Sequence, residues 1–98
     1  MSLQIRFRAI AKCEHVAAAK RYDRERAGLG VEFNRQVAET LAIIASDPQR
    51  YPIAEGDVHF ASVSGFSYCI YYRVRRGTIR VLAVYHQSRA PGGWLDRI

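Results

Sequence analysis

Between Ser67 and Tyr85 the chain reads SYCIYYRVRRGTIRVLAVY, two strand-length runs of β-branched and aromatic residues separated by Arg76-Gly77. No other stretch limits the fold so strongly. A two-residue connection containing glycine suits one geometry, a tight antiparallel hairpin. With Arg76-Gly77 as the turn, Tyr68–Val74 and Ile79–Tyr85 pair as Val74 with Ile79, Tyr72 with Val81, Ile70 with Ala83, and Tyr68 with Tyr85. These pairs share one largely apolar face. The other face then sets Arg73 opposite Arg80, Tyr71 opposite Leu82, and Cys69 opposite Val84. A one-residue slip would exchange the faces, and the apolar continuity of the first argues against it. Like charges directly opposite destabilise a strand pair, so Arg73 and Arg80 call for solvent screening or a bridging anion.

The remaining elements follow from periodicity. Leu3, Ile5 and Phe7 alternate with polar residues, as in a half-buried strand. Cys13 to Ala27 is rich in alanine, glutamate and arginine, which favours a helix, and Gly28-Leu29-Gly30 ends it. Phe33, Val37, Leu41 and Ile44 form a continuous stripe on a second helix from about Val31 to Ser46. Asp47-Pro48 stops that helix, because a residue before proline is pushed away from helical angles. So short a break packs the two helices as an antiparallel hairpin. Pro48 to Asp57 reads as a loop and Val58 to Ser64 as a strand. Gly65 marks a turn, residues 90–93 read as irregular, and the final residues as a short helical turn. The order β-α-α-β-β-β predicts an α+β fold: an antiparallel sheet covered on one face by an N-terminal α-helical hairpin.

The chain has 98 residues, enough for one domain spanning 1–98 with a single core and no need of disulfides or metal. An apolar fraction of 49% and a charged fraction of 24% are those of an ordinary globular protein. Cys13 and Cys69 form no CxxC or Cys/His cluster, so a zinc site is not expected and reduced thiols in a cytoplasmic protein are. No apolar run approaches the ~20 residues of a membrane span, and Met1 to Arg8 is too short and mixed for a secretory signal. No cofactor is expected.

Charge is distributed unevenly. Residues 58–98 hold six arginines and one aspartate, a net +5 of the whole chain's +6. The positive charge therefore lies on one sheet and its tail, a surface for an anionic partner. Tyr71, Leu82 and Val84 beside the arginines make an apolar patch that no helix remains to cover. Either the C-terminal tail crosses it or a partner does. Arginine, tyrosine and leucine together have the composition of a protein interface.

Several motifs, in order, resemble those of the ParE/RelE toxin superfamily of type II toxin-antitoxin (plasmid stabilization) systems. The two-helix unit with Tyr22 and the Gly28-Leu29-Gly30 break, and the Pro48…Tyr51-Pro52 loop, are similar to the ParE-like branch. Phe66-Ser67-Tyr68-Cys69-Ile70-Tyr71-Tyr72-Arg73-Val74 resembles the family's FPY-x-I-Y-Y-x-V strand. Val81 to Arg89 resembles its last strand with the H-x-x-R motif of His86 and Arg89, and Trp94 and Arg97 its W-x-x-R ending. Two features depart from the pattern. Ser67 replaces the proline, and His59-Phe60 follows Val58 where many relatives carry arginine.

The resemblance implies a basic toxin neutralised by a cognate antitoxin through an acidic segment, in a hetero-oligomer. In the ParE-like branch it implies inhibition of DNA gyrase by protein binding, without chemistry. Tyr71, Arg73, Arg80, Leu82, Arg89, Trp94 and Arg97 are then the partner-binding residues. In the RelE-like branch it implies a ribosome-dependent endoribonuclease acting on mRNA. His86 would serve as acid or base, because histidine titrates near neutrality, and Arg89 would support the phosphate. Val58 to Ser64 carries no lysine or arginine, which favours the ParE-like branch. A third alternative is an inactive relic that binds only antitoxin. The structural readings of the same residues are His86 fixing the turn before Arg89, Arg89 paired with Asp96 or a helix-end carbonyl, and Trp94 anchoring the tail by packing. His15 and His59 read as surface or edge residues.

Overall fold

A computed structural model describes residues 2–89 and 92–98. Strand β1 (Gln4–Phe7) leads into helix α1 (Ala9–Glu25) and helix α2 (Leu29–Ser46). Then come β2 (Ile53–Glu55), β3 (Val58–Ser62), β4 (Tyr68–Arg75), β5 (Thr78–His86) and a 3-10 turn over Leu95–Arg97. The sheet order is β1-β5-β4-β3-β2. The fold is α+β, with the helical hairpin on one face of the sheet as expected. Three-residue β2 was read as loop: it lies between Pro52 and Gly56 with every side chain exposed, so no alternation marks it. The sheet is mixed rather than wholly antiparallel, since β1 pairs in parallel with β5. Of the irregular stretch expected over 90–93, residues 90 and 91 lie outside the described residues.

The stripe on α2 is the one expected: Phe33, Val37 and Ile44 are buried, with Leu41 packed beside them. Helix α1 begins at Ala9 rather than Cys13 and buries only Ala11 and Ala18 completely. Small residues there let the two helices approach closely. Gly28 takes φ +89° between them, and an added Cβ on Gly30 would stand 2.5 Å from the Ala19 carbonyl oxygen. Asp23 on α1 accepts the Gly30 N–H at 2.7 Å, satisfying one orphan donor at the start of α2. Beneath the helices lie Ala61 and Val63 of the β3 side, Ile70 and Tyr72 of β4, and Ile79, Val81 and Val84 of β5.

The hairpin register begins as expected and then shifts. Arg76 and Gly77 have φ of +52° and +71°, the two positive angles of a type I′ turn. Val74 pairs with Ile79, Arg73 with Arg80 and Tyr72 with Val81, but Tyr71 pairs with Ala83, leaving Leu82 as the extra residue of a β-bulge. Beyond it the register is Ile70 with Val84, Cys69 with Tyr85, and Tyr68 with His86. The bulge exchanges the faces of the last residues. Val84 joins the helix-side core, while Ala83 and Tyr85 join Leu82 on the opposite face. Tyr68 and Ile70 keep the expected face, but the partners expected for them, Tyr85 and Ala83, do not share it.

Two histidines are placed by packing. His59, expected at the surface or an edge, is 6% exposed, stacks on Tyr72, and donates Nδ1–H to the Tyr51 carbonyl at 2.7 Å. Together with Tyr72, whose hydroxyl donates to the Pro48 carbonyl at 2.8 Å, it ties the 48–52 loop to the sheet. Burial pushes the Tyr72 phenol up to about 12. His15 is half-buried between Phe7 and Phe33. Among the described residues no helix is long and apolar enough to cross a membrane.

Candidate partner interface

The sheet face away from the helices carries a second, smaller core of Val58, Leu82, Ala83, Tyr85 and Trp94, with Tyr71 packed against it. The tail therefore crosses this face. Trp94 is 5% exposed, with its ring centroid 4.4 Å from that of Tyr71. Leu82, expected to meet a partner, is 3% exposed. In this conformation the tail takes the place that was expected for a partner at Leu82.

Arg73 and Arg80 do lie on this face, directly opposite one another. Their environments differ. Arg73 is 9% exposed and donates to Asp57 Oδ1 from Nη2 at 2.7 Å and from Nε at 3.1 Å. Its Nη1 donates to the Ile98 carbonyl at 3.3 Å, and Arg75 Nε reaches Asp57 Oδ2 at 3.3 Å. Asp57, from the turn between β2 and β3, thus answers Arg73 and Arg75 but does not bridge Arg73 to Arg80. The Arg73 hydrogen bonds hold its carboxyl below the usual carboxylate range. Arg80 is exposed and has no carboxylate partner among the described residues.

Arg97 and Arg89 converge on Glu14 of α1. Strand β1 ends at Phe7, which leaves the far part of β5 without a neighbouring strand. Arg8 N–H donates to the Val81 carbonyl, Arg97 Nη1 to the Leu82 carbonyl at 3.2 Å, and Val84 N–H to Glu14 Oε1 at 3.1 Å. Arg97 is itself doubly bonded to Glu14, at 2.9 and 3.0 Å. An ion pair therefore satisfies edge groups that another strand would otherwise take up. The Glu14 bonds raise the Arg97 pKa. Arg89 lies 3.9 Å over the Tyr85 ring and reaches Glu14 Oε2 at 3.2 Å, rather than Asp96 or a helix-end carbonyl.

His86 Nδ1 accepts the Ser88 N–H at 3.0 Å, so that nitrogen carries no hydrogen and also accepts from the Ser88 hydroxyl at 2.6 Å. The neutral ring consequently holds its proton on Nε2. It fixes the turn before Arg89, whose N–H donates to the His86 carbonyl at 3.1 Å. Chemically the neighbourhood offers N–H donors and guanidinium charge, while Glu14 is engaged by two arginines. Such an arrangement can bind an anion; His86 in this tautomer presents a donor and no free base.

Of the expected site residues, the structure groups Tyr71, Leu82 and Trp94 in one packed cluster, and gathers Arg89 and Arg97 at Glu14. It sets Arg73 under the tail end and leaves Arg80 apart in solvent. Glu14, Asp57 and Tyr85 complete these groups and were not singled out in the sequence. The only signal for the two acids was the excess charge of the last third, which demands counter-charge without saying from where.

No family model matches this sequence, and no curated protein does. Among solved structures, the chain is similar to one in the chromosomal ParDE TA system from P. aeruginosa. The TM-score is 0.76 at 11% sequence identity, over 87% of this chain and 96% of that one. At this identity the likeness establishes the fold.

Proposed function

We propose that this chain is the toxin of a ParE-like toxin-antitoxin pair, held inactive by an antitoxin that contributes an acidic segment. The observation that carries this reading is the likeness to the ParDE chain over nearly its whole length, joined to the order of motifs from Tyr22 to Arg97. The concentration of +5 in residues 58–98 supports an acidic partner. The target is DNA gyrase, engaged by protein contact through the solvent-facing cations Arg80 and Arg89 and the adjoining tail. The toxin acts in the bacterial cytoplasm and is stored as a hetero-oligomer with its antitoxin.

Induced expression in a bacterium tests the reading. The expected result is growth arrest with gyrase-linked DNA breaks, relieved by the acidic product of the adjoining gene. Arg80→Glu and Arg89→Glu should each weaken the arrest while the protein stays folded. Arrest accompanied by mRNA cut within codons, and abolished by His86→Ala, would replace the gyrase reading with the endoribonuclease one. Absence of arrest at every dose, with antitoxin binding intact, would leave the inactive relic.

A further inference from the structure

Arg80 has arginine on both sides. The parallel pairing of β1 with β5 sets it beside Arg6, and the antiparallel pairing of β4 with β5 sets it beside Arg73. All three point away from the helices, because Ile5 and Phe7, Ile79 and Val81, and Tyr72 and Val74 pack on the helix side. Three guanidinium groups therefore stand in one row across three adjacent strands, an arrangement that destabilises a sheet unless counter-charge is supplied. Asp57 answers Arg73. Arg6 and Arg80 are exposed and have no carboxylate partner among the described residues, so two cations in register are left unanswered.

The surroundings narrow the choice of anion. The next row toward the hairpin turn is Gln4, Thr78 and Arg75, on the same face. The two rows hold hydrogen-bond donors and no apolar side chain. A protein interface is centred on aromatic and aliphatic anchors, which this plate lacks. The aromatic rings of the face, Tyr71, Tyr85 and Trp94, are packed together in the tail-side core, so they offer unpaired bases no platform for stacking. Glu55, another carboxylate of the face, lies on β2 at the opposite edge of the sheet from Arg6. From Arg6 to Arg73 the row crosses two strand spacings, about 10 Å. A duplex presents one phosphate per strand for about every 3.4 Å of its axis, so the row spans roughly three.

We propose that this plate binds the phosphate backbone of duplex DNA independently of sequence. Arg6 and Arg80 meet phosphates, and Gln4, Thr78 and Arg75 supply further donors. Under the function proposed above, the DNA is that held by gyrase; this link rests on that reading, and the site does not.

The test is fluorescence anisotropy of the full chain with short labelled DNA duplexes of two unrelated sequences. Both should bind alike, and raising salt from about 50 to about 200 mM should weaken binding roughly 10- to 40-fold, the loss expected for two to three phosphate contacts. Arg6→Gln and Arg80→Gln, both on exposed residues, should each weaken binding about threefold or more at low salt and lower the salt slope by about 1. Arg80→Lys, which keeps the charge, should retain the slope. Arg24→Gln, on α1 and so on the helix side of the sheet, should leave affinity and slope unchanged. Urea titrations should show each variant folded. Unchanged affinity and slope in both Arg6→Gln and Arg80→Gln, an equal loss in Arg24→Gln, or tighter binding of single-stranded oligouridylate or poly-glutamate than of the duplexes would each overturn the proposal. A chain that never arrests growth refutes the toxin reading and leaves the anisotropy to decide the site.

Discussion

At the scale of single residues, backbone sign and close approach decide where substitution is felt. Arg76 holds φ +52°, a left-handed conformation that costs an ordinary L-residue about 1–2 kcal/mol and costs asparagine less. Arg76→Asn should therefore raise unfolding stability by roughly 1 kcal/mol in urea titrations. Gly30 is the opposite case. A methyl group there meets the Ala19 carbonyl oxygen at 2.5 Å, so Gly30→Ala should cost about 1–3 kcal/mol by forcing α1 and α2 apart. His15 supplies a pH dependence. Burial lowers its pKa, with Lys12 adding to the effect and the Asn34 hydrogen bond opposing it, and its Nδ1 is buried without a partner. The unfolded chain binds the proton first. Stability is therefore complete above the ordinary histidine pKa of 6.5 and falls as pH drops below it, toward the lower folded value. Denaturant titrations across that range should show the decline, and a His15→Gln variant should flatten it.

Among the elements, β5 joins the sheet, the helices and the tail. Its bulge at Leu82 lets one strand feed two cores, with Val81 and Val84 under the helices and Leu82, Ala83 and Tyr85 under the tail. Simple alternation places side chains of such a strand on the correct face only as far as Leu82. Both Leu82 and Ala83 are apolar, so nothing in their pattern marks the extra residue, and the faces of Ala83, Val84 and Tyr85 were inverted for that reason. The turn itself was legible because Arg76-Gly77 has few alternatives, and the α2 stripe because Phe33, Val37 and Ile44 repeat at the helical period. The Glu14–Arg97 pair that completes the β5 edge spans 83 residues of sequence, and no local pattern announces it. Its side chains are only 14% and 11% exposed. Glu14→Gln should thus cost about 1.5–3 kcal/mol, the range for hydrogen bonds to charged groups, and loosen residues 92–98 first. Hydrogen exchange should show the 3-10 turn losing protection before β4 does. Trp94→Ala should release the same segment while leaving the helix-side core protected.

For the molecule as a whole, the governing fact is an asymmetric sheet. Helices seal one face with the larger core; the other face is covered by seven described tail residues anchored through Trp94, Arg97 and Ile98. Sequence composition located the positive charge correctly but could not say how much of it is answered internally. Asp57 neutralises Arg73 and Arg75, and Glu14 neutralises Arg97 and Arg89; Arg21, Arg24 and Arg80 are among the exposed cations without carboxylate partners among the described residues. Acidic conditions should weaken the first of these arrangements. The Asp57 carboxyl is held below its ordinary pKa of 3.8, so its contribution is full above that value and is lost as pH falls through the lower folded one. Arg21 and Arg24 on α1 and Arg80 on β5 are among the cations offered to other molecules. The most direct measurement of that claim is inducible expression in a bacterium with and without the acidic product of the adjoining gene. Arrest of growth by the chain alone and its relief by co-expression are predicted; uninterrupted growth at every level of induction, with soluble folded protein present, would contradict it.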